Sequence, residues 1–228
     1  MKTYRSAREV LGAVEQVLAA KPRLASRGRL PLREIRGEQF QESPLVQVAR
    51  LLQKGRQYFA VTIFLEAGGR VLRVASAGPA PRCAAMRLGE GNVGQAAKAG
   101  MAKVVPDVTR DPQYVKVFSE TRSELVMPIK IGVHVSGVID VESDRLNAFS
   151  YKDRVLLQKV AIVLAKFLSG RGKYLVRKVR EAAHAIPAVL PKQPQAPGPP
   201  ARAGVARAAV EVERQERLRA AAGEKARS

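Results

Sequence analysis

Apolar residues recur along this chain at two periods, and each change of period marks a new element. Tyr4, Ala7, Leu11, Val14 and Leu18 are spaced by three and four residues, which predicts one stripe of a helix over residues 4–20. That stripe suits a dimer seam as well as a face packed on its own domain. Residues 21–42, interrupted by Pro22, Gly28, Pro31 and Gly37, predict a weakly structured connector. Ser43 and Pro44 then offer a cap and a favourable first residue for a helix over 45–54. Residues 58–65 and 70–76, rich in β-branched and aromatic side chains around Gly68-Gly69, predict a hairpin. A short apolar patch over 83–88 leads through Gly89, Gly91 and Gly94 into a helix over 93–99. A strand over 103–105 and a polar loop with a helical turn over 107–120 follow. Next comes a second hairpin, 125–131 and 133–141, about Gly132. Ser150 with Asp153 resembles a capping box for a helix over 151–168, whose apolar residues include Leu156, Val160, Leu164 and Phe167.

Beyond Gly170 and Gly172 a basic helical pattern resumes over 174–185. Residues 186–200 hold six prolines in fifteen positions and read as an extended linker. Residues 201–228 are Ala, Arg and Glu without an apolar face, a composition for disorder or a solvated helix. Terminal helices around antiparallel-type strands make the fold class α+β. The resulting division is 1–42, amphipathic helix and connector; 43–168, folded domain; 169–185, basic helical extension; and 186–228, Pro/Ala/Arg-rich tail.

Composition narrows the function classes. One cysteine excludes a disulfide framework and a multi-cysteine zinc site. No tryptophan and 5% aromatics argue against a base-stacking platform. No apolar run approaches the length of about 18 residues needed to span a bilayer, and the N-terminus lacks a signal-peptide pattern; a cytoplasmic location is expected. The net charge of +20 is concentrated in the flanks outside residues 58–168. Such flanks either attract phosphate, giving the tail weak nucleic-acid affinity, or keep mobile ends solvated.

Candidate chemistry lies mostly in the second hairpin, where Glu124, Asp140 and Glu142 sit on or beside the strands. Anionic side chains are poor strand material unless they face solvent or a ligand. Gly89-x-Gly91-x-x-Gly94 has dinucleotide-loop spacing but no parallel βαβ repeat and no ribose-binding acid, so tight turning into a helix accounts for it. His134 and His184 have no partners for a metal site, no catalytic constellation is present, and neither a metal nor a cofactor is expected.

Several of these motifs occur together in one known family. The run Gly89-x-Gly91-x-x-Gly94-x-Ala96, Pro106-Asp107-Val108, Asp111-Pro112-x-Tyr114, Thr121-Arg122-Ser123-Glu124-Leu125 with Pro128, Gly137 to Ser143, and Asn147-Ala148-Phe149 with Asp153 resembles a GAF domain over roughly half the chain. The resemblance implies a central antiparallel sheet with terminal helices packed on one face and a ligand pocket on the other, often in a dimer joined through those helices. Within the family the chain is similar to free methionine-(R)-sulfoxide reductases, in which one thiolate attacks the sulfoxide sulfur and another thiol resolves the sulfenic acid. Cys83 falls where one resolving cysteine does, but Val93 and Val117 stand where the other thiols belong, so the resemblance supplies no catalytic residue here. The acids matching Glu124, Asp140 and Glu142 hold the substrate's amino group in those enzymes; with Asp107 they form the candidate ligand-binding set. The alternative is that the acids pair with Arg122 or Arg145. A cyclic-nucleotide pattern is matched only in part, by Asn147, Phe149 and Asp153, with Ala148 and Arg154 departing from it.

The expected function is therefore a sensory or regulatory module that binds a small polar molecule and signals through its flanking helices or a protein partner, with a homodimer through the terminal helices. The competing expectations are a diverged reductase-like enzyme and an adaptor whose basic tail holds nucleic acid.

Overall fold

A six-stranded antiparallel sheet carries every other element. The computed structural model describes residues 5–20 and 43–185. The connector expected over 21–42 and the tail over 186–228 lie outside the described residues. The elements are α1 (Ala7–Ala19), α2 (Pro44–Arg56), β1 (Ala60–Ala67), β2 (Arg70–Ala77), β3 (Ala85–Arg87), α3 (Gly91–Ala99), β4 (Lys103–Val105), a 3-10 turn (Val108–Arg110), β5 (Ser123–Ile131), β6 (His134–Ser143), α4 (Tyr151–Ser169) and α5 (Lys173–Ala185). Strand order is β3-β2-β1-β6-β5-β4. The expected α+β architecture is what folds.

Local chemistry sets the boundaries. Helices α1, α2 and α4 begin at Ser6, Ser43 and Ser150, whose side chains accept otherwise unpaired backbone amides, and in α1 and α4 an acid at the third position completes a capping box. The β1–β2 turn is Gly68-Gly69, both at positive φ (61° and 75°), as a tight two-residue hairpin turn demands. In the glycine motif, Gly91 sits at φ +61°, and a Cβ on Gly94 would stand 2.2 Å from the Arg87 carbonyl oxygen. The motif therefore packs a helix start against β3 and needs no dinucleotide to explain it.

Alternation of side chains gives the sheet two dissimilar faces. Val61, Ile63, Leu125, Met127, Ile139 and Val141 point to one face, covered by α2, α4 and α5 with Leu45, Leu52, Leu156 and Leu164 among the core, while α1 packs on α2 and α4 through residues such as Val14. Here the helical stripe of α1 is Val10, Val14 and Leu18, with Leu11 only partly buried; the four-residue spacing through Val10 wins over the one through Leu11. The other face holds a smaller cluster of Phe64, Met86, Val93, Val117, Phe118, Val126 and Val138, covered by α3 and the segment after it. Among the described residues no helix is long and apolar enough to cross a membrane.

Candidate functional site

The second face carries the chemistry. Asp140 and Glu142 are two apart on β6 and so share a face, the one that also bears Val138. Strand pairing sets Glu124 of β5 opposite Glu142, and Asp140 between Val126 of β5 and Thr62 of β1. Like charges directly across a strand pair destabilise a sheet. Here all three carboxyls are also buried, with Glu124 2%, Asp140 1% and Glu142 1% exposed. One oxygen from each lies within 4.8 Å of the others.

Donors reach this cluster from the covering segment, though not enough of them. Asn92, at the start of α3, donates its Nδ2 to Glu124 Oε2 at 2.5 Å. Thr121 Oγ1 donates to Glu142 Oε2, and the Tyr114 hydroxyl reaches the same oxygen at 3.4 Å. No N–H or O–H donor of the surrounding residues reaches either oxygen of Asp140 or Oε1 of Glu142, all of them buried; Asp140 instead shares a proton-mediated hydrogen bond with Glu124. Lys103 Nζ is one link removed: it donates to Asn92 Oδ1 and to Gln95 Oε1 (3.0 Å) and pairs with Asp111 at 3.2 Å.

Burial of uncompensated charge shifts every proton equilibrium in the cluster in one direction. Burial pushes Glu124 up to about 7, against the opposing pull of the Asn92 hydrogen bond and the Lys103 charge. Glu142 is pushed up to about 8 by burial and then by the Glu124 charge, with the Thr121 and Tyr114 hydroxyls opposing. Asp140 is held well above the ordinary carboxylate range by burial and then by its two acidic neighbours. The group is thus partly protonated at neutral pH, and a cation entering it would be met by up to three carboxylates. Two kinds of cation fit these oxygens, an ammonium group and a hard divalent metal ion that takes oxygen ligands.

The alternative pairing of these acids with Arg122 or Arg145 is not made; among the described residues neither arginine forms an ion pair with them. Asp107 is not brought to the cluster. It caps the 3-10 turn, accepting from Thr109 N at 3.0 Å and Thr109 Oγ1 at 2.6 Å, and pairs with Arg110 at 3.3 Å. The Thr109 hydroxyl accordingly holds its carboxyl below the ordinary range. Asn92, Tyr114 and Thr121 are the site residues that sequence reasoning left without a role. All three lie inside motifs it had singled out, but their donor function depends on the covering segment folding back over β5 and β6.

The thiol positions can also be placed. Cys83, Val93 and Val117 belong to one buried apolar cluster on this face. Cys83 donates its thiol to the Ala85 carbonyl at 2.9 Å, and burial pushes its pKa up, away from a reactive thiolate.

Comparison with known proteins agrees with this architecture. Residues 43–168, more than half of the chain, match the GAF domain family. GAF domain-containing protein A of Dictyostelium discoideum is 30% identical over 128 residues, 56% of this chain and 81% of that protein. The free methionine-R-sulfoxide reductase of Saccharomyces cerevisiae is 33% identical over 85 residues, 37% of this chain and 47% of that enzyme, so the match spans about half of the yeast protein. Among solved structures, the free methionine-R-sulfoxide reductase from Neisseria meningitidis in complex with its substrate aligns with a TM-score of 0.61 at 25% identity, covering 78% of this chain and 99% of that one. With its central sheet, its two unlike faces and the match over residues 43–168, this chain belongs to the GAF domain family.

Proposed function

We propose that this protein is a sensory or regulatory GAF module whose buried carboxyls Glu124, Asp140 and Glu142 receive the ammonium group of a small amino compound. The observation that carries the reading is Asp140, buried between two further carboxyls with no donor other than a proton shared with Glu124. An ammonium group brings three donors and a positive charge, which matches the three oxygens that no protein donor reaches and removes the repulsion. Similarity to reductases of free methionine sulfoxide supports an amino acid as the first probe. Ligand occupancy would be passed on through the segment over the cluster, which the Lys103–Asp111 pair ties to β4 and a Gln95–Gln113 hydrogen bond of 2.5 Å ties to α3. Output would then leave through the flanking helices across the sheet, as a homodimer contact, or through a protein partner. Asp107, engaged by Thr109 and Arg110, is left out of the proposed binding set.

The test is thermal unfolding of the full chain with free methionine sulfoxide, other free amino acids and their N-acetyl derivatives. Free amino compounds at 100 times their Kd stabilise by about 2.7 kcal/mol, and the acetylated forms, lacking the ammonium, do not. Stabilisation by calcium or magnesium ions alone would replace the amine with a metal, and no response to either class would remove the reading.

A reductase-like enzyme is the second reading, favoured by the same relatives. It requires thiol chemistry from Cys83, with Val93 and Val117 at the other thiol positions. The wild type and Cys83→Ser are expected to be equally inactive in a thiol-driven assay of free methionine sulfoxide reduction. Turnover lost in the serine variant would restore the enzyme.

A further inference from the structure

At the opposite end of β5 and β6 from the carboxyl cluster, a cavity of about 450 Å³ opens between the last turn of α3, the β5–β6 turn and α5. That size suits a small molecule. Four basic side chains come to it from four elements: Lys98 of α3, Lys130 of β5, His134 of β6 and Arg180 of α5. One carboxylate, Glu66, lines the same cavity, and it already accepts the Gly69 amide at 3.1 Å. Among the described residues Lys98, Lys130 and Arg180 make no ion pair, so the positive charge on the wall is not balanced locally.

Two of these side chains lie beside a glycine at the cavity rim, and both are exposed. Lys130 lies across Gly100, where a Cβ would stand 2.9 Å from its Cε and 3.1 Å from its Nζ. Gly100 is also the left-handed cap of α3, so the ammonium lies at the helix end whose carbonyls favour a cation. Lys98, in the last turn of α3, folds back towards Gly89. Cations converging on a concave surface focus positive potential, and that favours a partner with more than one negative charge over a monovalent one. Leu88, Val135 and Val176 give the remaining wall an apolar character.

We propose that this cavity binds a small multivalent anion carrying two or more phosphoryl or carboxylate groups, at a site separate from the carboxyl cluster and of opposite charge. Calorimetric titration of the full chain at a constant ionic strength of roughly 0.15 M, with pyrophosphate in one arm and citrate in the other, tests it and distinguishes the two anion chemistries. Saturable one-site binding is expected for at least one of them. Lys130→Ala combined with Arg180→Ala, which removes two charge-assisted contacts, weakens it by about ten-fold or more. The control pair Lys152→Ala and Lys159→Ala, on the exposed face of α4, leaves it unchanged. If the first pair fails to fold, Arg180→Gln alone decides the matter through a roughly three-fold weakening. No saturable binding of either anion, or equal weakening by the control pair, overturns the proposal; the second result would assign the affinity to the overall charge of +20.

Discussion

Above pH 7 the Asp140→Asn variant is expected to be more stable than the wild type, while losing the response to amino compounds. The cluster has folded-state pKa values above the unfolded ones: Glu124 about 7 and Glu142 about 8 against 4.5, and Asp140 well above 3.8. A carboxyl raised in this way contributes stability that is present in full below its unfolded pKa and lost as the pH rises through the folded one. The wild type should therefore weaken progressively between about pH 5 and pH 9. The difference for Glu124 alone is on the order of 3 kcal/mol. An amide at position 140 removes one charge, lowers the burden on the other two, and brings an Nδ2 donor within reach of Glu124 or Glu142. Its stability curve should be flatter and cross above the wild type near neutrality. Urea unfolding at pH 5.5, 7 and 8.5 measures both curves. Parallel curves, or a wild type that gains stability toward pH 8.5, would show that the three carboxyls do not share one desolvated site. A saturating amino compound should flatten the wild-type curve in the same way, because the bound ammonium keeps the acids ionised at no electrostatic penalty.

What made this site visible in the sequence was local, and what hid its consequences was not. Alternation alone says that Asp140 and Glu142 share a face, and acids in an otherwise apolar strand mark it as unusual. That Glu124 stands opposite Glu142 depends on the register of β5 against β6, which no single strand encodes. Ser6, Ser43 and Ser150 announce three helix starts because capping involves residues three apart. The short β3 reads only as an apolar patch, since Ala85–Arg87 has too few residues to show a period. Among the acids, Asp107 illustrates the limit of carrying a role over from a motif. Thr109, two residues on, gives it a local hydrogen-bonding task that satisfies its carboxylate away from the cluster. Asp153 errs the other way: as a helix N-terminal charge it looks ordinary, yet its principal partner lies 97 residues earlier in the chain.

That partner makes Asp153→Ala the substitution with the largest expected loss of stability. Asp153 Oδ1 accepts from Arg56 at 2.7 Å and from the Tyr58 hydroxyl at 2.8 Å. Its Oδ2 accepts from the Ser150 amide at 3.0 Å and hydroxyl at 2.6 Å. One carboxylate thus joins the end of α2, the residues entering β1 and the start of α4, and Arg56 carries the connection on to the Arg5 carbonyl beside α1. Both members of the pair are buried, Arg56 7% and Asp153 6% exposed. Removing the acid leaves a desolvated guanidinium behind, which costs about 3–5 kcal/mol, and the lost capping box adds about 1 kcal/mol. Replacing both residues, Arg56→Met with Asp153→Leu, should recover much of this, because the charge left stranded by the single change is then gone. A single-variant loss below about 1 kcal/mol in urea unfolding would mean the pair is solvated and structurally idle. The network also fixes the acid side of the stability profile. Although burial opposes it, the hydrogen bonds from Ser150, Arg56 and Tyr58 leave Asp153 below its usual 3.8. Its contribution is therefore present above the unfolded pKa and lost as the pH falls through the folded one. Opposite shifts on the two faces of one sheet put the stability maximum in the mildly acidic range. Asp153→Ala should flatten the acid limb and Asp140→Asn the alkaline one, each leaving the other in place.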